Sequence, residues 1–228
     1  MATHRSAEEV EADRIAILGP ELGPLFHALD NEVSWLHAKW KEFRQRDAAP
    51  STVDLLNQTA PFFFRVVQDT LWHDALLQIA RLTDPPVSAG KTNLTLRRLP
   101  PALPYGPISQ EVDALVSKTL SEAAFARDWR NRRLAHGDLG LALGGAQPLA
   151  EANHQDMEHA LSSMRSVMNA VNGHYWNSTT AYENFLSTDN AKSLIFHLRV
   201  ARKAEARRND RLNRGIVLPE DLESDDEV

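Results

Sequence analysis

The sequence predicts an all-α protein, an up-and-down helical bundle with extra peripheral helices. Apolar residues recur every three or four positions along most of the 228-residue chain, which is the spacing that places them on one face of a helix. The sequence shows no strand-like alternation of apolar and polar residues and no internal repeat. Capping residues, glycines and prolines delimit the helical segments. These observations favour long helices with few connections.

The N-terminal part of the chain contains three helical patterns. Ser6-Ala-Glu-Glu9 is a capping box for a short helix that Gly19 is predicted to end. A long amphipathic helix follows, because apolar residues recur at three- and four-residue steps from Leu22 to Phe43. A further helix is predicted from Phe62 to Leu82, and Pro50-Ser-Thr52 interrupts the pattern between the two.

The helical pattern stops at Asp84-Pro-Pro86, since proline lacks the backbone N–H and restricts the residue before it. Residues 85–107 are rich in proline and predict a surface excursion with at most a short turn of helix at Leu94–Arg98. Beyond it, the sequence predicts a helix capped by Ser109 and, directly or after a kink, a helix over Phe125–His136. A loop over Gly137–Pro148 is predicted to follow. The last two predicted helices are one capped by Asn153 and running to about Asn177, and one over Asp189–Arg208.

We divide the chain into a helical bundle over residues 1–184 and, over residues 185–228, a basic helix followed by an acidic tail. Seven basic residues lie from Arg199 to Arg214, and six acidic residues lie from Pro219 to Val228. The acidic C-terminus is expected to be disordered. For most of the C-terminal arginines we favour a solvated helix face, which is the usual meaning of a charge run.

Composition excludes several functional classes. The net charge of −6 argues against wholesale coating of nucleic acid, although basic patches such as Arg127–Arg133 could steer a short RNA segment. Without cysteine, disulfides, zinc–thiolate sites and thiol nucleophiles are excluded. Residues 1–20 lack the apolar segment of a secretory signal, and the longest apolar runs are too short to cross a bilayer. We therefore expect a cytoplasmic protein that makes no use of a membrane.

The most informative segment is Trp129-Arg-Asn-Arg-Arg-Leu-Ala-His136, called the signature below. Arginine presents a planar fork that fits phosphate oxygens, and histidine exchanges a proton near neutral pH. Arg130, Asn131 and His136 therefore suit cleavage of RNA through its own 2′-hydroxyl without a metal. The alternative is a basic helix end that complements the helix dipole, with Gly137 as a left-handed cap.

The spacing within the signature bears on how the site closes. In an ideal helix, Arg130 and His136 are about 120° apart and ~9 Å apart in rise. Either the helix unwinds at Ala135–Gly137, or a second subunit completes the site across a two-fold axis, which we prefer. Within one subunit, Arg132 or Arg133 could also serve.

A second polar stripe consists of Arg65, Asp69 and His73, spaced by four residues on one helix face. Asp69 could fix the tautomer of His73 or orient His136. The alternative is an ion pair on a solvated face. A metal site is not favoured, because His154 and His159 are five residues apart and no carboxylate-rich histidine spacing recurs.

The tryptophans follow the apolar pattern. Trp129 is expected to pack in the core or at a dimer interface, or to stack on a base. The others are expected to be core residues, namely Trp35, Trp40, Trp72 and Trp176.

The signature resembles the arginine–histidine motif of the HEPN superfamily (higher eukaryotes and prokaryotes nucleotide-binding domains), including the polar residue after the arginine. Three other segments, together with the signature, are similar to the bacterial abortive-infection U-type HEPN-like family, namely Leu22–Trp35, Phe63–Pro85 and Asn93–Arg97. The resemblance covers roughly residues 20–180 and does not extend past about residue 185.

This resemblance implies a helical bundle that forms a homodimer about the signature helix. It also implies a metal-independent endoribonuclease without cofactor, acting in phage defence or as the toxin of a toxin–antitoxin pair. Arg130 would neutralise the scissile phosphate, Asn131 would orient it, and His136 would be the general acid or base. The products would carry a 2′,3′-cyclic phosphate and a 5′-hydroxyl. The alternative function is a non-catalytic module that binds RNA or a protein such as an antitoxin.

Overall fold

The structure, a computed structural model, describes residues 6–46, 49–184, 187 and 189–221. Within these residues it contains nine α-helices and one very short hairpin, so the predicted all-α bundle with peripheral helices is confirmed. The helices are α1 (Ala7–Arg46), α2 (Pro50–Thr59), α3 (Pro61–Leu82), α4 (Leu99–Ala102), α5 (Pro107–Glu122), α6 (Ala124–Trp129), α7 (Leu139–Ala142), α8 (His154–Trp176) and α9 (Ala191–Asn213). None of them is long and apolar enough to cross a membrane.

The first helix is bent as the sequence predicted. The backbone N–H of Ser6 donates to the Glu9 carboxylate at 2.8 Å, and the Glu9 N–H donates to the Ser6 hydroxyl at 3.2 Å, which confirms the capping box. At Gly19 the backbone takes φ +84°, which glycine adopts without strain. The segments on either side of this kink lie against each other, because a Cβ on Gly23 would fall 2.7 Å from the Cα of Ile15.

The excursion after α3 holds a two-residue hairpin that the helical periodicity did not predict. Strands β1 (Val87–Ser88) and β2 (Lys91–Thr92) pair antiparallel. Ala89 and Gly90 join them with φ of 49° and 75°, the left-handed backbone that tight hairpins require. A 3₁₀ turn over Leu96–Arg98 leads into α4, close to the predicted helical turn.

The chain separates into two compact units. One comprises residues 1–41 and 67–186, and the other comprises residues 42–66 and 187–228. The first contains the signature. Residues 42–66 therefore group with the C-terminal helix in the second unit.

In the first unit, α5 packs along α8, and α1 and α3 contribute large apolar side chains to the same core. The Trp40 indole lies 5.9 Å from that of Trp72 between ring centroids, and its N–H donates to Glu158 at 2.7 Å. Trp40 is buried as predicted. The prediction for Trp35 is wrong, because 61% of its surface is exposed. The fully buried large side chains of this unit are Phe26, Leu29, Leu36, Leu76, Ile79, Leu82, Leu96, Leu99, Met157, Leu161, Met164 and Met168.

A buried ionic network ties the N-terminal helix segment to this core. Asp30 accepts hydrogen bonds from the guanidinium of Arg14 and from the hydroxyl of Tyr182. Arg14 also lies 2.9 Å from the ring of His27. Burial, and then the negative charge of Asp30, raise the pKa of Tyr182, so the phenol stays protonated.

In the second unit, α2 packs against α9. Arg199 donates to the Thr52 hydroxyl at 3.0 Å. After α9, a 3₁₀ turn over Pro219–Asp221 brings the Asp221 carboxylate to Arg208 and Arg211. The hydrogen bond from Arg211, then that from the Leu218 N–H, hold the pKa of Asp221 below its usual range. Of the acidic segment Pro219–Val228, which was expected to be disordered, Pro219–Asp221 forms this ordered turn, so the expectation is wrong there. Residues 222–228 lie outside the described residues.

Most helix boundaries lie within a few residues of the predictions, but α9 continues past the predicted end at Arg208, and the segment Gly137–Pro148, predicted as a loop, contains α7. Asn153 accepts from the backbone N–H groups of Gln155 and Asp156, which confirms it as a cap. Ser109 is not the N-terminal cap of α5, because the helix begins at Pro107 and Ser109 is its third residue. Its hydroxyl instead accepts the N–H of Gly106 at 3.2 Å.

Candidate functional site at the signature helix

The signature begins at the end of α6 and continues into a π-helical turn. This turn spans Arg130–Leu134, and the N–H of Ala135 donates to the carbonyl of Arg130 at 2.8 Å. Together, α6 and the π turn are called the signature helix below. π turns are rare and occur often at functional sites. The helical pattern ends before His136. Gly137 does not have a positive φ, so the left-handed cap suggested there is wrong.

Arg130 is held by a carboxylate from another segment. Its Nη1 and Nη2 donate to the two oxygens of Asp84 at 3.2 and 2.6 Å, a bidentate pair. The side chains of Arg130 and Asp84 are 26% and 12% exposed. The guanidinium is therefore fixed in orientation, but part of its positive charge is offset. Three of its five N–H groups are not used in this pair, and the buried Nε makes no hydrogen bond to the described residues.

Asp84 owes its position to the end of α3 and to Thr95. The Thr95 hydroxyl lies 2.9 Å from the carbonyl oxygen of Leu82 and 2.8 Å from that of Asp84. Thr95 is completely buried, and it also caps the turn that carries Arg97. From the sequence, Asp84 was predicted only to be part of a helix stop. The signal available was an acidic residue before two prolines in a segment that resembles the family.

Three other residues of the signature face solvent. Asn131, Arg133 and His136 are exposed. The guanidinium carbon of Arg133 lies 5.5 Å from the centre of the Trp129 ring, within the range of a cation–π contact. His136 is therefore open to a ligand, as the prediction of a catalytic histidine requires.

Trp129 connects the signature to α3. Its indole N–H donates to the carbonyl of Ala150 at 2.8 Å, and its ring centre lies 6.5 Å from that of His73. The indole is half-buried, so it packs against the protein and leaves one part accessible. Of the predicted supporting residues on α3, His73 thus approaches the signature helix through Trp129. Asp69 is half-buried one turn earlier.

Arg132 holds the loop that follows the signature. It donates to the carbonyls of Gln147 and Pro148, the latter at 3.2 Å, and lies 3.5 Å from carboxylate oxygens of Asp128 and Asp138. The N–H of Leu141 and then Arg132 lower the pKa of Asp138. These contacts engage the guanidinium of Arg132 with the protein itself.

Two further arginines, Arg127 and Arg97, interact electrostatically with each other, and Arg127 also interacts with Arg130. Arg127 precedes it by three residues, and its Nη2 donates to the carbonyl of Leu120 at 2.6 Å. Burial, and then the positive charge of Arg97, lower the pKa of Arg127, while Asp84 acts in the opposite direction. Arg97 was part of a family-like segment in the sequence, but its place beside the signature helix could not be deduced there.

The described residues contain no group of three histidine, aspartate or glutamate side chains placed to bind a metal ion. His154 is exposed, and its ring lies against the rings of Trp40 and Trp72, at 5.7 and 5.9 Å between centroids.

Comparison with known proteins places most of the chain in one family model. The model HEPN_AbiU2, described as AbiU2, matches residues 19–194. This range contains the signature, Asp84 and Arg97, and it confirms the resemblance found in the sequence. No curated protein and no solved structure matches the chain.

Proposed function

Since the chain belongs to the AbiU2 family of HEPN proteins, we propose that it is a metal-independent endoribonuclease of bacterial abortive infection. It acts in phage defence or as the toxin of a toxin–antitoxin pair. RNA is its substrate, no cofactor takes part, and the active form is a homodimer in the cytoplasm. An antitoxin is a further partner.

In the proposed reaction, the 2′-oxygen of a ribose attacks the adjacent phosphorus and the bond to the 5′-oxygen breaks. A base removes the proton of the 2′-hydroxyl, and an acid gives a proton to the departing 5′-oxygen. The products are a 2′,3′-cyclic phosphate and a 5′-hydroxyl. His136 is the base or the acid, a role that contributes about 10²–10⁴ in rate. Arg130 stabilises the charge that develops on the phosphate, and Asn131 orients it.

The observation that carries this proposal is the pair of Arg130 and Asp84 at the start of a π turn. A guanidinium fixed by a carboxylate keeps its remaining N–H groups in a constant direction, and such preorganisation favours transition-state stabilisation. Asn131 and His136 follow on the exposed side of the same segment. Arg132 supports the site by fixing the following loop, and Arg133 and Trp129 supply a cation and an aromatic face for RNA.

The dimer accounts for the need for both an acid and a base. Two signature helices related by a two-fold axis place two histidines and two arginines about one groove. One His136 then removes the proton and the other supplies it. Asp69 and His73 support the site from α3, His73 through its contact with Trp129.

A non-catalytic RNA-binding module is the second candidate. The same Asp84 that orients Arg130 also offsets its charge, which weakens its attraction for a phosphate. Binding without cleavage would then depend on the exposed residues of the signature and on the other arginines.

Incubation of the purified protein with total RNA and EDTA, followed by mapping of the cut ends, tests the proposal. We expect cleavage with 2′,3′-cyclic phosphate ends, and loss of at least about a hundredfold in rate for His136→Ala. His159→Ala, which changes an exposed histidine of α8, is the matched control and should cut normally. Unchanged cleavage by His136→Ala would exclude the role of this residue. Absence of cleavage in the wild type, with retained RNA affinity, would favour the binding module.

A further inference from the structure

Three arginines and one buried carboxylate lie at or near the signature helix. Arg127 and Arg130 are three residues apart on that helix and share a face. Asp84 holds Arg130 from the end of α3. Thr95, whose hydroxyl lies 2.8 Å from the carbonyl oxygen of Asp84, also accepts the backbone N–H of Arg97 at 3.4 Å. The Thr95 hydroxyl therefore helps to position both Asp84 and Arg97. We call Arg97, Arg127 and Arg130, with Asp84, the arginine cluster.

The arginine cluster has an excess of positive charge. The charged groups that act on Arg127 are Arg97, Asp84 and Arg130, so Arg127 lies near two positive charges and one negative charge. In addition, Nη1 of Arg127 and Nε of Arg130 are buried and make no hydrogen bond to the described residues. Partly buried cations without full compensation are unfavourable. An anion from outside the chain would offset this charge.

Arg97 is the member of the cluster that is available to such an anion. Its neighbour Arg98 donates to the carbonyls of Asn93 and Pro86, both at 2.7 Å, and so holds the excursion together. The structure shows no comparable bond from the guanidinium of Arg97 to the described residues, and this side chain is half-buried. Of these two successive arginines, Arg98 therefore has a structural role, whereas the guanidinium of Arg97 is available to a ligand.

We propose that Arg97, together with Arg127, binds a phosphate of the RNA backbone next to the scissile phosphate that Arg130 contacts. The inference rests on the proposed function, because the signature supplies the reason for an RNA strand at this place. A guanidinium fits a phosphate through two parallel N–H groups. A single strand carries a phosphate at every nucleotide, so a strand bound at His136 brings further phosphates to neighbouring cations. Asp84 positions the cluster and prevents mutual repulsion from displacing Arg130.

The test uses the full-length chain and a fluorescent single-stranded 2′-O-methyl oligoribonucleotide. This probe lacks the 2′-hydroxyl, so the proposed reaction cannot cut it and binding is measured alone. Anisotropy titrations over a series of salt concentrations give the slope of log K against log salt. We expect Arg97→Gln to reduce the magnitude of this slope by about 0.7, the value for one lost phosphate contact on a single strand. At physiological salt we expect roughly threefold to tenfold weaker binding.

Lys118→Gln is the matched control, since it removes one positive charge from an exposed site on α5 outside the cluster. It should leave the slope unchanged. Arg97→Lys, which keeps a charge but loses the fork, should restore the slope and part of the affinity. Urea unfolding of each variant verifies that the fold is intact. Arg97 is suited to this test because its guanidinium has no structural bond to lose.

The proposal is overturned if the wild type does not bind the probe, if Arg97→Gln has the wild-type slope, or if Lys118→Gln loses as much as Arg97→Gln. The fate of unmodified RNA separates this inference from the proposed function. A wild type that binds with the expected slope difference but produces no cyclic-phosphate ends refutes the ribonuclease and supports the phosphate site. Cleavage together with equal slopes supports the ribonuclease and refutes the phosphate site.

Discussion

His37 lies on the inner face of α1, where 7% of its surface is exposed and its ring lies 5.5 Å from that of Tyr182. Burial lowers its pKa from 6.5 to about 4. Glu183 and Glu158 act against this shift, and Arg165 adds to it, but none of these charges outweighs the loss of hydration. The imidazole is therefore neutral in the folded protein at a pH where the unfolded chain binds a proton.

This difference makes stability depend on pH in a defined direction. Because the pKa is lower in the folded state, the contribution of His37 is fully present above pH 6.5 and is lost as the pH falls toward 4. Urea unfolding should give a free energy about 2 kcal/mol lower near pH 5 than near pH 7. His37→Phe, which keeps a ring against Tyr182 but cannot titrate, should lose most of this difference. An identical pH dependence in the variant would contradict the assignment.

For Arg130, the sequence indicated the residue itself but not the partner that holds it. The residue types in the signature led us to propose Arg130, Asn131 and His136, because the proposed proton transfer and phosphate binding need those groups. The partner of Arg130 was not predictable, since Asp84 is 46 residues away and only the tertiary fold brings them together. Arg132 was selected for the same chemistry as Arg130. Its contacts with Gln147 and Pro148 depend on a loop path that no periodicity specifies.

Among the helices, α1 depends most on a single close approach. The segments before and after Gly19 meet where Gly23 faces Ile15, and a Cβ there would lie 2.7 Å from a backbone carbon and 3.1 Å from the Ile15 Cγ1. A backbone atom cannot move aside as a flexible side chain can, so the two segments would have to separate. The ion pair of Arg14 with Asp30 lies across the same contact.

Gly23→Ala should therefore destabilise the protein by about 1–3 kcal/mol, the usual cost of overpacking. Gly173→Ala is the control, because Gly173 lies within α8 and a Cβ there would meet nothing within 4 Å. That variant should be neutral or up to about 1 kcal/mol more stable, because alanine has the higher helix propensity. Urea unfolding compares the two. Equal effects of both substitutions would show that the segments of α1 are not in contact.

Element boundaries were predictable where a local signal fixes them. Asn153 at the start of α8 and Gly19 in α1 act through their own side chain or backbone, so sequence identifies them. The π turn at Arg130 was not predictable, because a helix with one extra residue per turn has no distinct residue pattern. The burial of Trp35 was predicted wrongly for a different reason: apolar spacing identifies one face of a helix but does not reveal whether another element covers that face.

For the whole molecule, the all-α architecture was predictable because most of the chain has the period of a helix. The grouping of residues into units was not, because it depends on which helices pack together. Exposed apolar residues are the feature of the surface that bears on assembly. Just after the signature, Leu139 and Leu143 are 71% and 77% exposed. Leu139 begins α7 and Leu143 directly follows its last residue, and their spacing of four residues places them on one side of this helical turn.

A homodimer formed about the signature helix should bury these two leucines, because they adjoin His136 in the chain. Leu143→Glu places a charge in that interface, and burying a leucine is worth about 1.5–3 kcal/mol. The dimer should therefore dissociate at least about tenfold more readily in sedimentation experiments. If the two subunits share the catalytic histidines, cleavage should fall together with the dimer fraction while the circular dichroism spectrum is unchanged. Tyr105→Glu, at a site 96% exposed before α5, is the control that should remain dimeric and active. A Leu143→Glu variant that dimerises normally would place the interface elsewhere, and an active monomer would show that one subunit supplies both the acid and the base.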